Sequence, residues 1–216
     1  MTDANEVRRL GLDDAYAVKT PEDNRALYRD WAATYEDDFI APRGYTYHLS
    51  VVELFAQAGP NADAPVLDVG CGTGIVGVAL RDAGFDVVDG IDLSPEMLEQ
   101  AATKRVYRSL IEVDVTQPMS FDDDAFGGVT SVGTFTHGHL GPEPLHELVR
   151  VTQPGGVLAI GINAEHYEEH RFGAVLNDML SAGSIVERRL ERVRIYAKGD
   201  DEHADDLALV AVLRKA

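Results

Sequence analysis

The stretch "VLDVGCGTGIVGVAL", Val66 to Leu80, limits the fold more than any other: an apolar strand-like run breaks into glycines and resumes with helical spacing. It heads an alternating series. "FDVVDGID" is the next strand, and Ser94 followed by Pro95 starts a helix whose apolar face holds Met97, Leu98, Ala101 and Ala102. "LIEVDV" is a third strand and "GGVTSVG" a fourth. Leu145, Leu148 and Val149 mark a helix ending before "QPGG", and "GVLAIGIN" is a fifth strand. Strands alternating with helices specify a parallel sheet covered on both faces. After a helix through Val175, Leu176, Met179 and Leu180, the runs "IVERRLERVRIYA" and "LALVAVLRK" are joined only by "KGDDEHADD", so they pair antiparallel.

Upstream, "PEDNRALYRDWAATYE" places Leu27, Tyr28, Trp31 and Tyr35 at helical spacing. Pro42, Arg43 and Gly44 break the chain, and "TYHLSVVELFAQAG" reads as an amphipathic helix closed by Gly59. The first twenty residues are polar, mobile or loosely helical. A chain of 216 residues, 45 % hydrophobic, suits one domain with a small appendage. Neither a signal peptide nor a window of membrane-spanning length is present, so a soluble, cytoplasmic protein without a membrane partner is expected. Cys71 is the only cysteine, which excludes an intrachain disulfide and a thiolate metal site. The histidines form no ligand array, so no metal is expected. A net charge of −18 repels phosphate backbones, which argues against a nucleic-acid partner. Solubility in salty surroundings and attraction of a cationic substrate both fit that charge.

Gly70, Gly72 and Gly74 let a ligand approach the main chain, and the following helix offers unpaired N–H groups to an anionic group. Gly72, Gly74 and Gly77 satisfy GxGxxG, and Asp92 follows Gly72 by about 20 residues, the spacing of a ribose-binding acid. Two details oppose a nicotinamide dinucleotide. Gly70 and Cys71 intervene between strand and fingerprint, and Asp68 would repel pyrophosphate. A carboxylate there suits a ligand with a cation near the loop, since opposite charges 4 Å apart attract by roughly 4 kcal/mol at an effective dielectric near 20.

These residues resemble a known family. "VLDVGCGTG" is similar to motif I of class I S-adenosylmethionine-dependent methyltransferases, "GIDLS" to their second acidic loop and "IEVDV" to their third. The resemblance covers roughly residues 50 to 216. It implies an α/β fold: a seven-stranded, mostly parallel sheet with helices on both faces and a C-terminal antiparallel hairpin. By it the cofactor, S-adenosylmethionine, leaves as S-adenosylhomocysteine. Gly70, Cys71, Gly72 and Gly74 make room for its methionine part, and Asp68 faces its positive charge. Asp92 and Leu93 belong to the ribose loop, Asp114 lies near the adenine amino group, and the Val115 backbone lies near the ring. Gly133 and Thr134 line the cofactor beside the transferable methyl. "YRDWAATYEDDF" resembles a segment of the Williams–Beuren-region methyltransferase-like group, which implies a lid carrying Tyr28, Trp31 and Tyr35 over the cofactor. Residues 1–45 are then a helical lid segment and 46–216 the Rossmann-like domain.

The fourth strand leads into "SVGTFTHGHLGPEPL", where His137 and His139 sit on a glycine-rich loop. Either could orient or deprotonate an acceptor, or simply stabilise the loop. Methyl transfer from a sulfonium is an in-line displacement in which positioning can supply on the order of 7–11 kcal/mol. Three functions fit: a methyltransferase for a small-molecule acceptor, a non-catalytic S-adenosylmethionine-binding protein, and, less well, a nicotinamide-dependent oxidoreductase. Neither the acceptor atom nor the oligomeric state is legible.

Overall fold

The structure, a computed structural model, describes residues 10–11, 14–15, 17–18, 20–136, 140–197 and 206–216. Helix α1 (Pro21–Trp31) starts where Thr20 Oγ1 accepts the Asp23 N–H at 3.1 Å, with proline in the first turn. A π-helical turn (Glu36–Ile40) and a single α-turn (Ala41–Arg43) follow, and Gly44 ends them in the left-handed region. Helix α2 (Tyr47–Gln57) buries Tyr47, Val51, Val52 and Phe55. The alternating series is β1 (Val66–Val69), α3 (Ile75–Asp82), β2 (Val88–Asp92), α4 (Pro95–Thr103), β3 (Ser109–Glu112), β4 (Phe126–Phe135), α5 (Leu145–Val151) and β5 (Thr152–Asn163). Helices α6 (Ala164–Glu169) and α7 (Phe172–Ser181) lead to β6 (Ile185–Arg194) and β7 (Leu207–Lys215).

The seven strands form one sheet in the order β3-β2-β1-β4-β5-β7-β6. The first five run parallel, while β7 lies between β5 and β6 and pairs antiparallel with both. This is the architecture the sequence pattern specifies. Strand β1 is central and wholly buried, Asp68 included. Its side chains alternate between two apolar layers. Val66 joins Val51, Phe55 and Val88 on one face, and Leu67 and Val69 join Ile91, Leu148 and Ile160 on the other. Trp31 and Phe39 pack into the first of these layers.

Two elements depart from the sequence expectation. Strand β3 stops at Glu112, short of the full "LIEVDV" run, because the chain turns at Asp114, whose Oδ1 accepts the Thr116 N–H at 2.9 Å. Helix α6 has no counterpart in the periodicity, being too short to show one. It starts where Asn163 Oδ1 accepts the Glu165 and His166 N–H groups at 3.0 and 3.2 Å. Most of the first twenty residues, and 198–205 of the "KGDDEHADD" loop, lie outside the described residues. Among the described residues no helix is long and apolar enough to cross a membrane.

Candidate functional site

The sheet order reverses between β1 and β4, and a crevice opens there past the strand C-termini. At the end of β1 the chain passes through Gly70, Gly72 and Gly74, with φ of 67°, 52° and 90°. A side chain is strained at each of these angles. Gly70 faces a second constraint, since a Cβ there would overlap the Thr134 hydroxyl at the end of β4. Thr134 Oγ1 in turn donates to the Val69 carbonyl at 3.2 Å.

Asp92 closes the loop from the neighbouring strand. Its Oδ2 accepts the Gly72 N–H at 2.8 Å and its Oδ1 accepts the Ser94 N–H at 2.9 Å. Burial pushes this carboxyl above the usual carboxylate range, and the N–H groups of Ser94, Gly72 and Leu93 pull the other way. Ser94 then caps α4, accepting the Met97 N–H at 3.2 Å. One carboxylate thus fixes both the glycine loop and the β2–α4 turn.

The resulting cleft measures about 1160 Å³ with the open solvent at its mouth included. Gly70, Cys71 and Gly72 form one wall, and Asp92, Leu93, Asp114 and Val115 another. Gly133 and Thr134 close the β4 side, and Tyr28 and Tyr35 reach in from the N-terminal segment. That segment is tied across the cleft by Arg25, which meets Glu112 at 2.8 Å and donates to the Leu93 carbonyl at 3.3 Å. Lys104 pairs with Glu36 at 2.8 Å. Such exposed pairs orient more than they stabilise.

Gly74, Asp68 and Trp31 are not part of the wall. Trp31 is buried among aromatic neighbours, with its centroid 5.0 Å from that of Tyr35 and 5.5 Å from that of Phe39. His137 and His139 lie outside the described residues. The wall also holds residues that sequence reasoning missed. Thr73, inside the quoted glycine motif, carries a buried hydroxyl with no hydrogen-bond partner among the described residues. Met97 and Val113 supply apolar surface, and Tyr45 stands alone between two helical segments where no spacing could reveal it. Among the described residues no group of three or more His, Cys, Asp or Glu could hold a metal ion.

Asp68 points beneath the loop. Tyr107 donates to its Oδ2 at 2.7 Å and accepts the Gly77 N–H, a free donor in the first turn of α3, at 3.1 Å. Burial pushes the Asp68 carboxyl up to about 7; the Tyr107 hydrogen bond lowers it, the Asp92 charge raises it, and the nearby Thr130 hydroxyl lowers it slightly. The ring of Tyr107 sits among three glycines. A Cβ on Gly74 would lie 3.1 Å from it, one on Gly90 3.0 Å, and one on Gly77 would overlap it. Gly77, the last position of GxGxxG, therefore serves a tyrosine ring rather than a ligand. Gly77→Ala is expected to destabilise the protein by about 1–2 kcal/mol in urea denaturation, overpacking outweighing the ~1 kcal/mol gained in helix propensity. In a Tyr107→Leu background the sign should reverse; an equal penalty in both backgrounds would refute the packing explanation.

Residues 67–160, from β1 into β5, match a family model described as "Methyltransferase domain". The chain is 37 % identical to human methyltransferase-like protein 27 over 137 residues, 62 % of this chain and 55 % of that protein. It is 32 % identical over 143 residues to demethylmenaquinone methyltransferase of Renibacterium salmoninarum, covering 66 % of this chain and 59 % of that one. The chain thus spans somewhat over half the length of these relatives. A TehB-like SAM-dependent methyltransferase from Corynebacterium glutamicum superposes with a TM-score of 0.61 at 26 % identity, over 88 % of this chain and 99 % of that one. The matched segment, the superposed fold and the acid-closed glycine loop agree in one respect: each makes this chain similar to the Rossmann-like S-adenosylmethionine-dependent methyltransferases.

Proposed function

We propose that the chain transfers the methyl group of S-adenosylmethionine to a small-molecule acceptor. One observation carries this reading: Asp92 fixes the glycine loop and lines the same cleft as Asp114 and Val115. The residues present fit the cofactor. The adenosyl part would lie between Leu93, Met97, Val113 and Val115, with Asp92 toward the ribose hydroxyls and Asp114 toward the purine amine. The glycine loop and the Thr73 hydroxyl would hold the amino-acid part, and Asp68, beneath the loop, would add negative potential near its cation. When bound, the cofactor supplies an electrophilic methyl group. The chain's own residues hold the acceptor in line, exclude water and take the acceptor's proton where it has one.

Residues 1–45 act as the lid in this reading, since Tyr28, Tyr35 and Tyr45 reach the cleft. His137 and His139 are the candidate bases, because the described wall beside Gly133 offers only neutral groups. The small-molecule acceptor is supported by the demethylmenaquinone methyltransferase relative, and by the −18 charge, which disfavours nucleic acid. We also propose that the protein is cytoplasmic, a reading consistent with the lack of a membrane-length apolar helix among the described residues. Calorimetry is expected to show S-adenosylhomocysteine binding and no heat from NAD. The reverse result would overturn the assignment. Mass spectrometry of a metabolite extract incubated with enzyme and labelled methyl donor would then find the product, and binding without any labelled product would leave a non-catalytic binder.

A further inference from the structure

Against Tyr35 and Gly133 lies a second chamber of about 540 Å³ with the open solvent at its mouth included. Tyr28, Tyr35, Tyr45 and Gly133 belong to both walls, which sets the chamber directly against the end of the cleft beside β4. Its other walls are largely aromatic. Trp31 and Phe39 come from the N-terminal segment, Tyr47 from α2, Phe135 from β4, and Tyr196 from the chain after β6. The rings pack on one another edge to face, Trp31 on Tyr35, and Phe39 on Tyr196 at 85° with centroids 6.2 Å apart.

The described wall of the chamber is also uncharged. Among the described residues its wall contains no Asp, Glu, Lys, Arg or His. The uncharged polar groups are tyrosine hydroxyls, Thr136, and Asn163, whose Oδ1 is already occupied by two backbone N–H groups. Burial raises the phenols of Tyr28, Tyr35, Tyr45 and Tyr47 above the usual tyrosine range, so they stay protonated at neutral pH. A charged ligand entering such a wall loses its hydration and finds no counter-ion. The acidity of the whole surface therefore does not extend to this chamber.

We propose that this chamber seats the methyl acceptor, and that the acceptor is an uncharged, hydroxyl-bearing aromatic compound rather than a cationic amine, a carboxylate or a phosphate. This rests on the transferase reading above and deepens it by naming the acceptor class. In the transfer, the hydroxyl oxygen's lone pair forms the O–CH3 bond. The electrons of the breaking S–CH3 bond stay on sulfur, which becomes a neutral thioether, and the hydroxyl proton passes to the base of the proposed transfer and from it to solvent.

The test uses three ring probes of one shape: 2-naphthol, 2-naphthoate and 2-naphthylmethylammonium. Each is titrated at pH 7 into the protein saturated with S-adenosylhomocysteine, and into the protein alone. The neutral probe is expected to bind at least tenfold more tightly than either ion. Thr136→Lys, at a half-buried position of the chamber that is not in the cofactor cleft, should invert the order in favour of the naphthoate while leaving S-adenosylhomocysteine affinity unchanged. Equal binding of all three, tighter binding of an ion, or no binding by any would overturn the proposal without any variant. Failure of S-adenosylhomocysteine itself to bind would instead sink the transferase reading, and the probe ranking on the protein alone would still decide the chamber's chemistry.

Discussion

Asp92→Ala is expected to reduce S-adenosylhomocysteine affinity by about 100-fold, or ~2.7 kcal/mol, in calorimetry. Two charge-assisted hydrogen bonds are lost at once, those from the Gly72 and Ser94 N–H groups. Each is worth roughly 1.5–3 kcal/mol where the partner stays buried. Part of that loss appears as lower stability, because the loop and the β2–α4 turn lose their shared anchor. The rest appears as a cleft whose wall is no longer held in the binding shape. Asp92→Asn should do nearly as much harm, since its amide places an NH2 group against one of the two backbone donors. Circular dichroism below the melting range separates the two effects: a folded variant with unchanged affinity would remove Asp92 from the binding site.

Asp68→Asn should make the protein more stable at alkaline pH than the parent. The Asp68 carboxyl is wholly buried and pushed up to about 7 in the folded protein, against an ordinary value of 3.8. Between those two values the folded state holds a proton that the unfolded state has released. Stability contributed by this group is therefore complete below about pH 4 and is lost as the pH rises through 7. From pH 5 to pH 8 the loss amounts to about 3 kcal/mol. Asparagine does not titrate, it preserves an acceptor for Tyr107, and its amide can donate toward the neighbouring Thr130 hydroxyl. The advantage of the variant over the parent should thus grow by about 3 kcal/mol between pH 5 and 8 in urea denaturation, all other titrations being common to both proteins. Parallel stability curves across that range would show that Asp68 is ionised throughout.

Much of the fold was legible because strand and helix periods alternate cleanly from Val66 to Asn163, and because a short connection leaves the last two strands no option but to pair antiparallel. The wall of the cleft was legible where glycine and acid fall at strand ends, as at Gly70, Gly72, Asp92, Asp114 and Gly133. The side to which Asp68 turns was not, since β1 is buried on both faces and its pattern carries no orientation. Tyr107 was invisible for a related reason. It follows no periodic run, and its partners Asp68 and Gly77 lie 39 and 30 residues away. The aromatic chamber was half legible. Tyr28, Trp31 and Tyr35 share a helical stripe, but Tyr47, Phe135 and Tyr196 come from three distant segments that only the tertiary fold assembles.

The socket that three glycines form around one phenol ring constrains how this lineage can change. A smaller residue at 107 opens a void under the glycine loop, a methyl group gained at 77 evicts the ring, and one gained at 74 or 90 crowds it. Those four positions can drift only in concert, so a variant in which one has moved alone should carry its compensation within the same few ångströms.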